Sequence, residues 1–315
     1  MKQLVNIERF FLIGHILAMA FGLAGLLIVL PHPELIASLS PLGQTLFQWS
    51  MSGGGVVYII LGAVAVAIYA YRTLGLWQWL TFMVPAVLLS LGSELLGTST
   101  GFPFGHYGYL SGLGYKVADL VPFTIPLSWF YLGLVSYLIA RVGLEARVKP
   151  AKPISWLRHL GAIAIGAILL TSWDFVLDPA MSQANVPFWL WYQPGAFFGM
   201  PYQNFAGWLG TGALFMTVAA LFWKKTPVSL SRKELGLPLA IYLSNFVFAT
   251  VMSIGAGIWT PVGLGILLGV APAVGLWWMA ASASTPTAPD QLENSATTRS
   301  STTTVPAAPV GVLPK

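Results

Sequence analysis

Two polar and aromatic segments in this sequence contain side chains that are capable of acid–base chemistry. The first, SELLGTSTGFPFGHYGYLSGLG, runs from Ser93 to Gly114, and the second runs from Ser172 to Gly212. Their ionisable candidates for catalysis are Glu94, His106, Asp174 and Asp178. Because only 8% of the residues in the chain are charged, acids in such apolar surroundings require a specific explanation.

The three carboxyl groups lie near the ends of apolar stretches. An acid in or at the edge of the hydrocarbon, as expected for Glu94, is costly and usually functional, although it can also serve as a hydrogen-bonding partner of a neighbouring helix. Asp174 and Asp178 are spaced i,i+4, which places both on one helical face. Asp178 also precedes Pro179, and a residue before proline is disfavoured in a helix. For Asp178 alone, a structural role in a turn or at a helix end is therefore as well supported as a functional role.

His106 stands in the stretch FPFGHYGY, where glycine and proline predict a tight, ordered loop. The sequence contains no cysteine, and its histidines do not have the spacing of metal ligands, so no metal site is predicted. We also find no nucleotide-binding motif and predict no cofactor. His106 is therefore a candidate for a hydrogen-bonding wall residue or a proton shuttle.

Aromatic residues crowd around these acids. Interfacial belts of membrane proteins are rich in Trp and Tyr, and for most of these residues the belt explanation is favoured. Aromatic faces also attract cations, so the same side chains suit a site in which a carbocation develops. The candidate substrate-binding residues are Tyr107, Tyr109, Trp129, Trp173, Trp191, Tyr192 and the amide Asn204.

The elements that position these residues are predicted to be transmembrane helices. The chain has 315 residues, of which 56% are hydrophobic, and its mean hydropathy is +0.75. Soluble domains contain about 25% charged residues, and a bilayer is crossed by about 20 apolar residues. The composition predicts an all-α, polytopic transmembrane helical bundle; the ten-residue alternation of a transmembrane β-barrel is absent.

About eight spans are predicted, with seven as the alternative count. Asp178 and Pro179 are expected to end the fifth span, and the segment from there to Gln203 is expected to be irregular or re-entrant. A short interfacial helix is expected between the first two spans. The predicted spans are Phe10–Leu30, Gly54–Tyr71, Leu76–Leu96, Val121–Ala140, Leu160–Leu177, Asn204–Trp223, Leu237–Ile258 and Pro261–Ala280.

The basic residues predict the orientation of the chain. Of the fifteen Lys and Arg residues, only Lys116 falls outside the N-terminus, the even-numbered loops and the tail. By the positive-inside rule both termini are cytoplasmic, and this explains the net charge of +5 better than a nucleic-acid partner does. The transmembrane domain is assigned to residues 1–281, and the Ser/Thr/Pro/Ala-rich tail, 282–315, is predicted to be disordered.

Three segments resemble a known family: GTSTGFPFGHYGY with the upstream Glu94, WDFVLDPAM, and FFGMPYQNFAGW. They are similar to the CruF-type carotenoid biosynthesis family, membrane-embedded carotenoid 1',2'-hydratases of the bisanhydrobacterioruberin hydratase type. The resemblance covers Ser90 to Gly212. It implies cofactor-independent addition of water to the terminal double bond of an acyclic ψ end group, as in γ-carotene or lycopene-type carotenoids, giving a tertiary alcohol.

Such a hydration has clear chemical requirements. A proton adds to the less substituted carbon, and water captures the tertiary cation that results. A carboxylic acid can supply this proton only while it is protonated, which an apolar site favours. Glu94 is the predicted proton donor and Asp174 the group that orients or deprotonates water, a role for which His106 is the alternative.

Two other classes of function remain open from the sequence. A carotenoid cyclase shares the protonation chemistry but quenches the cation differently, and a transporter or channel would use intramembrane polar residues to line a path. The expected partners are a lipophilic carotenoid and the lipid bilayer, and association with other carotenoid-pathway enzymes is a further expectation. The expected location is a bacterial or archaeal cytoplasmic membrane, or a thylakoid if the source is cyanobacterial.

Overall fold

The computed structural model describes residues 2–146, 156–193, 195–224 and 228–280. Within these ranges, eight helical stretches are long and apolar enough to cross a bilayer. The prediction of an all-α transmembrane bundle with eight spans is therefore confirmed. The tail, 282–315, lies outside the described residues, and the cytoplasmic location of both termini stays a prediction.

The first span is α1 (Lys2–Ala24), which continues as a π-helical turn over Gly25–Val29. The short helix α2 (Pro33–Ala37) follows in the loop where one was expected. The next six spans are α3 (Pro41–Leu74), α4 (Leu76–Thr100), α5 (Thr124–Glu145), α6 (Trp156–Ser182), α7 (Tyr202–Phe222) and α8 (Gly236–Gly255). The eighth span joins α9 (Trp259–Gly265), a π-helical turn (Ile266–Val270) and α10 (Ala271–Met279).

Helix α5 is the centre of the bundle. In its most apolar stretch 89% of the residues are buried, against 11% in α1. It packs against α3, α4, α6, α8 and α10, whereas α1 lies at the periphery and packs mainly against α3 and α8. A helix that is apolar all round is typical of such a central position.

Helix α6 contradicts the expectation that the fifth span ends at Leu177. It continues through Pro179 to Ser182, so the interpretation of Asp178 as a helix-ending residue is wrong. Proline removes one backbone hydrogen bond from a helix, and transmembrane helices tolerate this where they pack against other elements. Val176 and Ala180 beside the proline are buried. As a result, Asp174 and Asp178 lie one turn apart on the same continuous helix.

The two polar and aromatic segments pair with each other through short strands. Strand β1 (Tyr107–Tyr109) follows α4, and it runs antiparallel to the last strand, β4 (Trp189–Trp191), which follows α6. Between them in the chain, β2 (Lys116–Val117) and β3 (Val121–Pro122) form a second small ladder. The segment after α6 is non-spanning, as predicted, but it returns to pair with β1. We call the β1–β4 pair the lid.

Candidate active site

Glu94, near the end of α4, is a buried acid that accepts three hydrogen bonds. Its exposed fraction is 3%. Trp129 Nε1 on α5 donates to Glu94 Oε1 at 2.9 Å. The hydroxyl groups of Tyr107 and Tyr109 both donate to Glu94 Oε2, that of Tyr109 at 2.9 Å. These donors hold the carboxyl group between the central helix and the lid.

The local backbone explains how the lid reaches Glu94. Helix α4 ends at Gly101, whose φ of 83° is a left-handed conformation that glycine adopts without steric cost. The chain therefore turns back, and β1 follows. Because side chains alternate along a strand, Tyr107 and Tyr109 point to the same face. Burial is the main reason that the pKa of both tyrosines lies well above the usual value, and the nearby Glu94 is the second reason. Both hydroxyls therefore remain neutral donors.

Asp174 and Asp178 on α6 share one amide group. Asn204, near the start of α7, directs Nδ2 at Asp174 Oδ2, at 2.7 Å, and at Asp178 Oδ2, at 3.0 Å. Each of the three side chains belongs to a residue that is at most 3% exposed. The predicted i,i+4 pair thus exists, and a residue from the next helix bridges it.

The two aspartates differ in their remaining partners. Asp178 Oδ1 accepts hydrogen bonds from Trp189 Nε1 at 2.6 Å and from Trp191 Nε1 at 3.0 Å. Both indoles come from β4, so the lid supplies donors to Asp178 as well as to Glu94. Within the described residues, Asp174 Oδ1 has no hydrogen-bond partner. One oxygen of Asp174 is therefore available to a ligand.

The three acids and Asn204 line one cavity, which has about 1210 Å³ of space free of protein atoms, including its open side. We call its end around these acids the acidic chamber. Trp129 and Trp208 stack there with ring centroids 4.0 Å apart and an interplanar angle of 21°, and Trp173 meets Trp208 edge-on at 5.9 Å. The other aromatic lining residues near the acids are Phe104, Tyr107, Tyr109, Phe188, Trp189 and Trp191.

Most of the residues proposed from the sequence meet in this chamber, and two do not. His106 is exposed and does not line the cavity; its main-chain oxygen accepts hydrogen bonds from Tyr192 N and Gln193 N. Tyr192 is 68% exposed and also lies outside the lining. His106 directly precedes Tyr107, and Tyr192 directly follows Trp191. Because side chains alternate along β1 and β4, both residues are directed away from the chamber.

Sequence reasoning missed several lining residues. Trp208 follows Asn204 by four residues and so lies on the same face of α7, a spacing that could have identified it. Trp189 shares its face of β4 with Trp191, but the strand itself was not predicted. Residues of α1 and α3, such as Gly22 and Gly54, also line the cavity, and their apolar sequences gave no chemical signal.

The arrangement is suited to proton transfer and cation stabilisation in buried, largely aromatic surroundings. It combines buried carboxyl groups, fixed donors and aromatic faces in one chamber. Across the described ranges, no group of three His, Cys, Asp or Glu side chains is arranged to hold a metal ion. The fold and the site together define a polytopic membrane protein with a buried acidic and aromatic chamber.

Comparison with known proteins identifies the family. Residues 54–272 match the family described as "Carotenoid biosynthesis protein". This range covers more than half of the chain and includes all three acids and Asn204, so the chain belongs to the carotenoid biosynthesis protein family.

One curated relative is the bisanhydrobacterioruberin hydratase of Haloarcula japonica. It is 30% identical to this chain over 196 residues, which is 62% of each protein. The chain therefore matches about three fifths of the length of that relative. No solved structure matches the chain.

Proposed function

We propose that this protein is a carotenoid 1',2'-hydratase. Its reaction is addition of water to the terminal double bond of an acyclic ψ end group, of the γ-carotene or lycopene type, to give a tertiary alcohol. Membership of the family and the relative named as a hydratase support this proposal. The observation that carries it is the unpartnered oxygen of buried Asp174, which faces a chamber walled by stacked indoles.

Asp174 is the proton donor that the geometry supports best, in place of Glu94. Two carboxylates bridged by one amide repel each other, so the pair is expected to hold one proton. Three donors favour the ionised form of Asp178, and Asp174 has only one donor. The proton then resides on Asp174, whose Oδ1 is available to the alkene.

Glu94 takes the complementary role of a fixed negative charge. Its three donors occupy both oxygens and fix the carboxyl group in place between the lid and α5. A carboxylate held in this way stabilises a cation that forms nearby without reorganisation during the reaction. The faces of Trp129 and Trp208 add a cation–π contribution of about 0.5–2 kcal/mol.

The proposed reaction balances without a redox partner. The Asp174 O–H bond breaks as a C–H bond forms at the less substituted alkene carbon, and the adjacent carbon becomes a tertiary cation. A water oxygen forms the C–O bond, and the proton that this water loses passes to the Asp174 carboxylate formed in the first step. Asp174 is thereby protonated again, and Glu94 keeps its charge throughout.

The proposed substrate-binding residues are the aromatic members of this chamber: Tyr107, Tyr109, Trp129, Trp173 and Trp191. Asn204 contributes by holding the two aspartates. His106 and Tyr192 were included from the sequence, but their exposed positions give them no support. The carotenoid is taken from the lipid bilayer, either a bacterial or archaeal cytoplasmic membrane or a thylakoid, where other enzymes of the pathway are the expected neighbours.

Expression in a host that accumulates lycopene tests the function directly. Pigments are extracted and separated by chromatography, and their masses are measured by mass spectrometry, with the Asp174→Asn variant as the inactive control. We expect a product heavier than lycopene by one molecule of water in the wild type alone. An isomer of unchanged mass would identify a cyclase instead, and unchanged lycopene at normal membrane levels of the protein would contradict the proposal.

A further inference from the structure

The cavity extends beyond the acids into a space between α1 and α3. On the first span its lining residues include Ala18 and Gly22 of α1 and Gly25 of the π-helical turn, and on α3 they include Met51 and Gly54. The spacing i, i+4, i+7 on the first span and i, i+3 on α3 places each set on one helical face. We call this extension the α1–α3 channel.

The α1–α3 channel leaves space at positions that side chains fill in most pairs of packed helices. A Cβ atom added to Gly25 or to Gly54 would meet no other atom within 4 Å. The acids are at most 3% exposed, whereas Gly22, Gly25 and Gly54 are partly exposed and Phe21 beside them is 64% exposed. The cavity therefore opens on the side of α1 and α3, away from the acids.

The other end of the α1–α3 interface is closed by polar contacts. His15 Nδ1 lies 2.7 Å from the main-chain oxygen of Tyr58, and Arg72 forms two hydrogen bonds of 2.8 Å with Glu8. Gly62 permits this approach, because a Cβ atom there would lie 2.8 Å from the imidazole. Both ties precede Ala18 on α1, so the two helices are fixed on one side of the channel and open on the other.

A ligand of matching chemistry is long, thin and apolar, with one reactive end. We propose that the α1–α3 channel binds the polyene chain of the carotenoid while its acyclic end group occupies the acidic chamber. This inference rests on the proposed function. It adds that the substrate enters end-on from the bilayer, that Gly54 and Gly25 set the width of the channel, and that the remaining polyene extends between α1 and α3 into lipid.

Gly53 and Gly54 provide a matched pair for the test. Both lie inside α3, and neither would bring a Cβ atom within 4 Å of another atom, but only Gly54 lines the cavity. The Gly→Leu substitution changes helix propensity equally at the two positions. Each variant is assayed with lycopene and with pseudoionone, a short compound that has the same acyclic end group, and the lycopene that copurifies with each variant is measured.

We expect Gly54→Leu to lower lycopene hydration and copurifying lycopene roughly tenfold or more, because the new side chain would overlap the polyene. Its hydration of pseudoionone should equal that of Gly53→Leu, which should resemble the wild type with both compounds. Equal lycopene hydration by the two variants would refute the channel, as would loss of pseudoionone hydration in Gly54→Leu alone. If the wild type hydrates neither compound, the proposed function fails, and copurification of lycopene still decides the channel.

Discussion

Replacement of Glu94 by Gln separates its charge from its hydrogen bonds. Gln has the same shape, and its oxygen can accept from Trp129 Nε1 in place of Glu94 Oε1. Its amide then faces the hydroxyls of Tyr107 and Tyr109, which can rotate and accept, since a hydroxyl group is both donor and acceptor. All three partners remain satisfied, so the Glu94→Gln variant is expected to fold and to bind carotenoid.

The magnitude of the effect distinguishes two roles for Glu94. For unit charges about 6 Å apart and an effective dielectric constant of about 20, the lost attraction to a cation is about 3 kcal/mol. This corresponds to a loss of roughly a hundredfold in rate. If Glu94 were instead the proton donor, an amide could not replace it and hydration would cease. Under our assignment, that complete loss belongs to Asp174→Asn.

The assay is the amount of hydrated lycopene per unit of membrane-inserted protein for each variant. Asp119→Asn is the control, because Asp119 is exposed, lies outside the cavity lining and has a φ of 59°, a conformation that Asn tolerates equally well. We expect the order Asp119→Asn, Glu94→Gln, Asp174→Asn from most to least active. A Glu94→Gln variant with no activity beside an active Asp174→Asn variant would reverse the two roles.

Two further predictions concern stability and topology. Asp178→Asn turns an amide N–H towards the Asn204 amide or a lid indole, and the unsatisfied donor should lower the free energy of unfolding by about 1–3 kcal/mol. Thermal unfolding in detergent, compared with that of Asp119→Asn, measures this loss. An unchanged midpoint would contradict the contact pattern. Ser111→Cys should react with an impermeant thiol reagent only from the non-cytoplasmic side and Lys233→Cys only from the cytoplasm. Labelling without background is possible because the wild type has no cysteine, and the opposite result would invert the topology.

The number and type of spans could be predicted from sequence because burial in lipid imposes one rule on every segment. Backbone groups must be satisfied within a helix, so length and hydropathy suffice. The end of α6 could not be predicted in this way. Proline at position 179 signals a helix end in water, but the buried neighbours of Pro179 hold the helix together through it. Tertiary packing, which the local sequence does not contain, decided this boundary.

The acids of the site were predictable because charge in a membrane is rare, whereas their surroundings were not. Glu94, Asp174 and Asp178 all line one chamber. The pairing of β1 with β4 joins segments about 80 residues apart, and strands of three residues are too short to show a period from which a strand is recognised. Without the strand, nothing distinguished His106 from Tyr107, although alternation sends one outward and the other inward.

The hydrogen bonds of the lid to the acids also bear on the route by which a substrate reaches them. Strand β1 supplies two donors to Glu94, and strand β4 supplies two donors to Asp178. Hydrogen bonds to charged groups contribute about 1.5–3 kcal/mol each, so opening the lid would cost on the order of 6 kcal/mol or more. It would leave Glu94 with Trp129 and Asp178 with Asn204 as their remaining donors. Entry through the lid is therefore disfavoured even though the lid lies directly over the acids. A carotenoid already dissolved in the bilayer needs no such opening, because the gap between α1 and α3 leads from lipid to Asp174 while every lid contact stays in place.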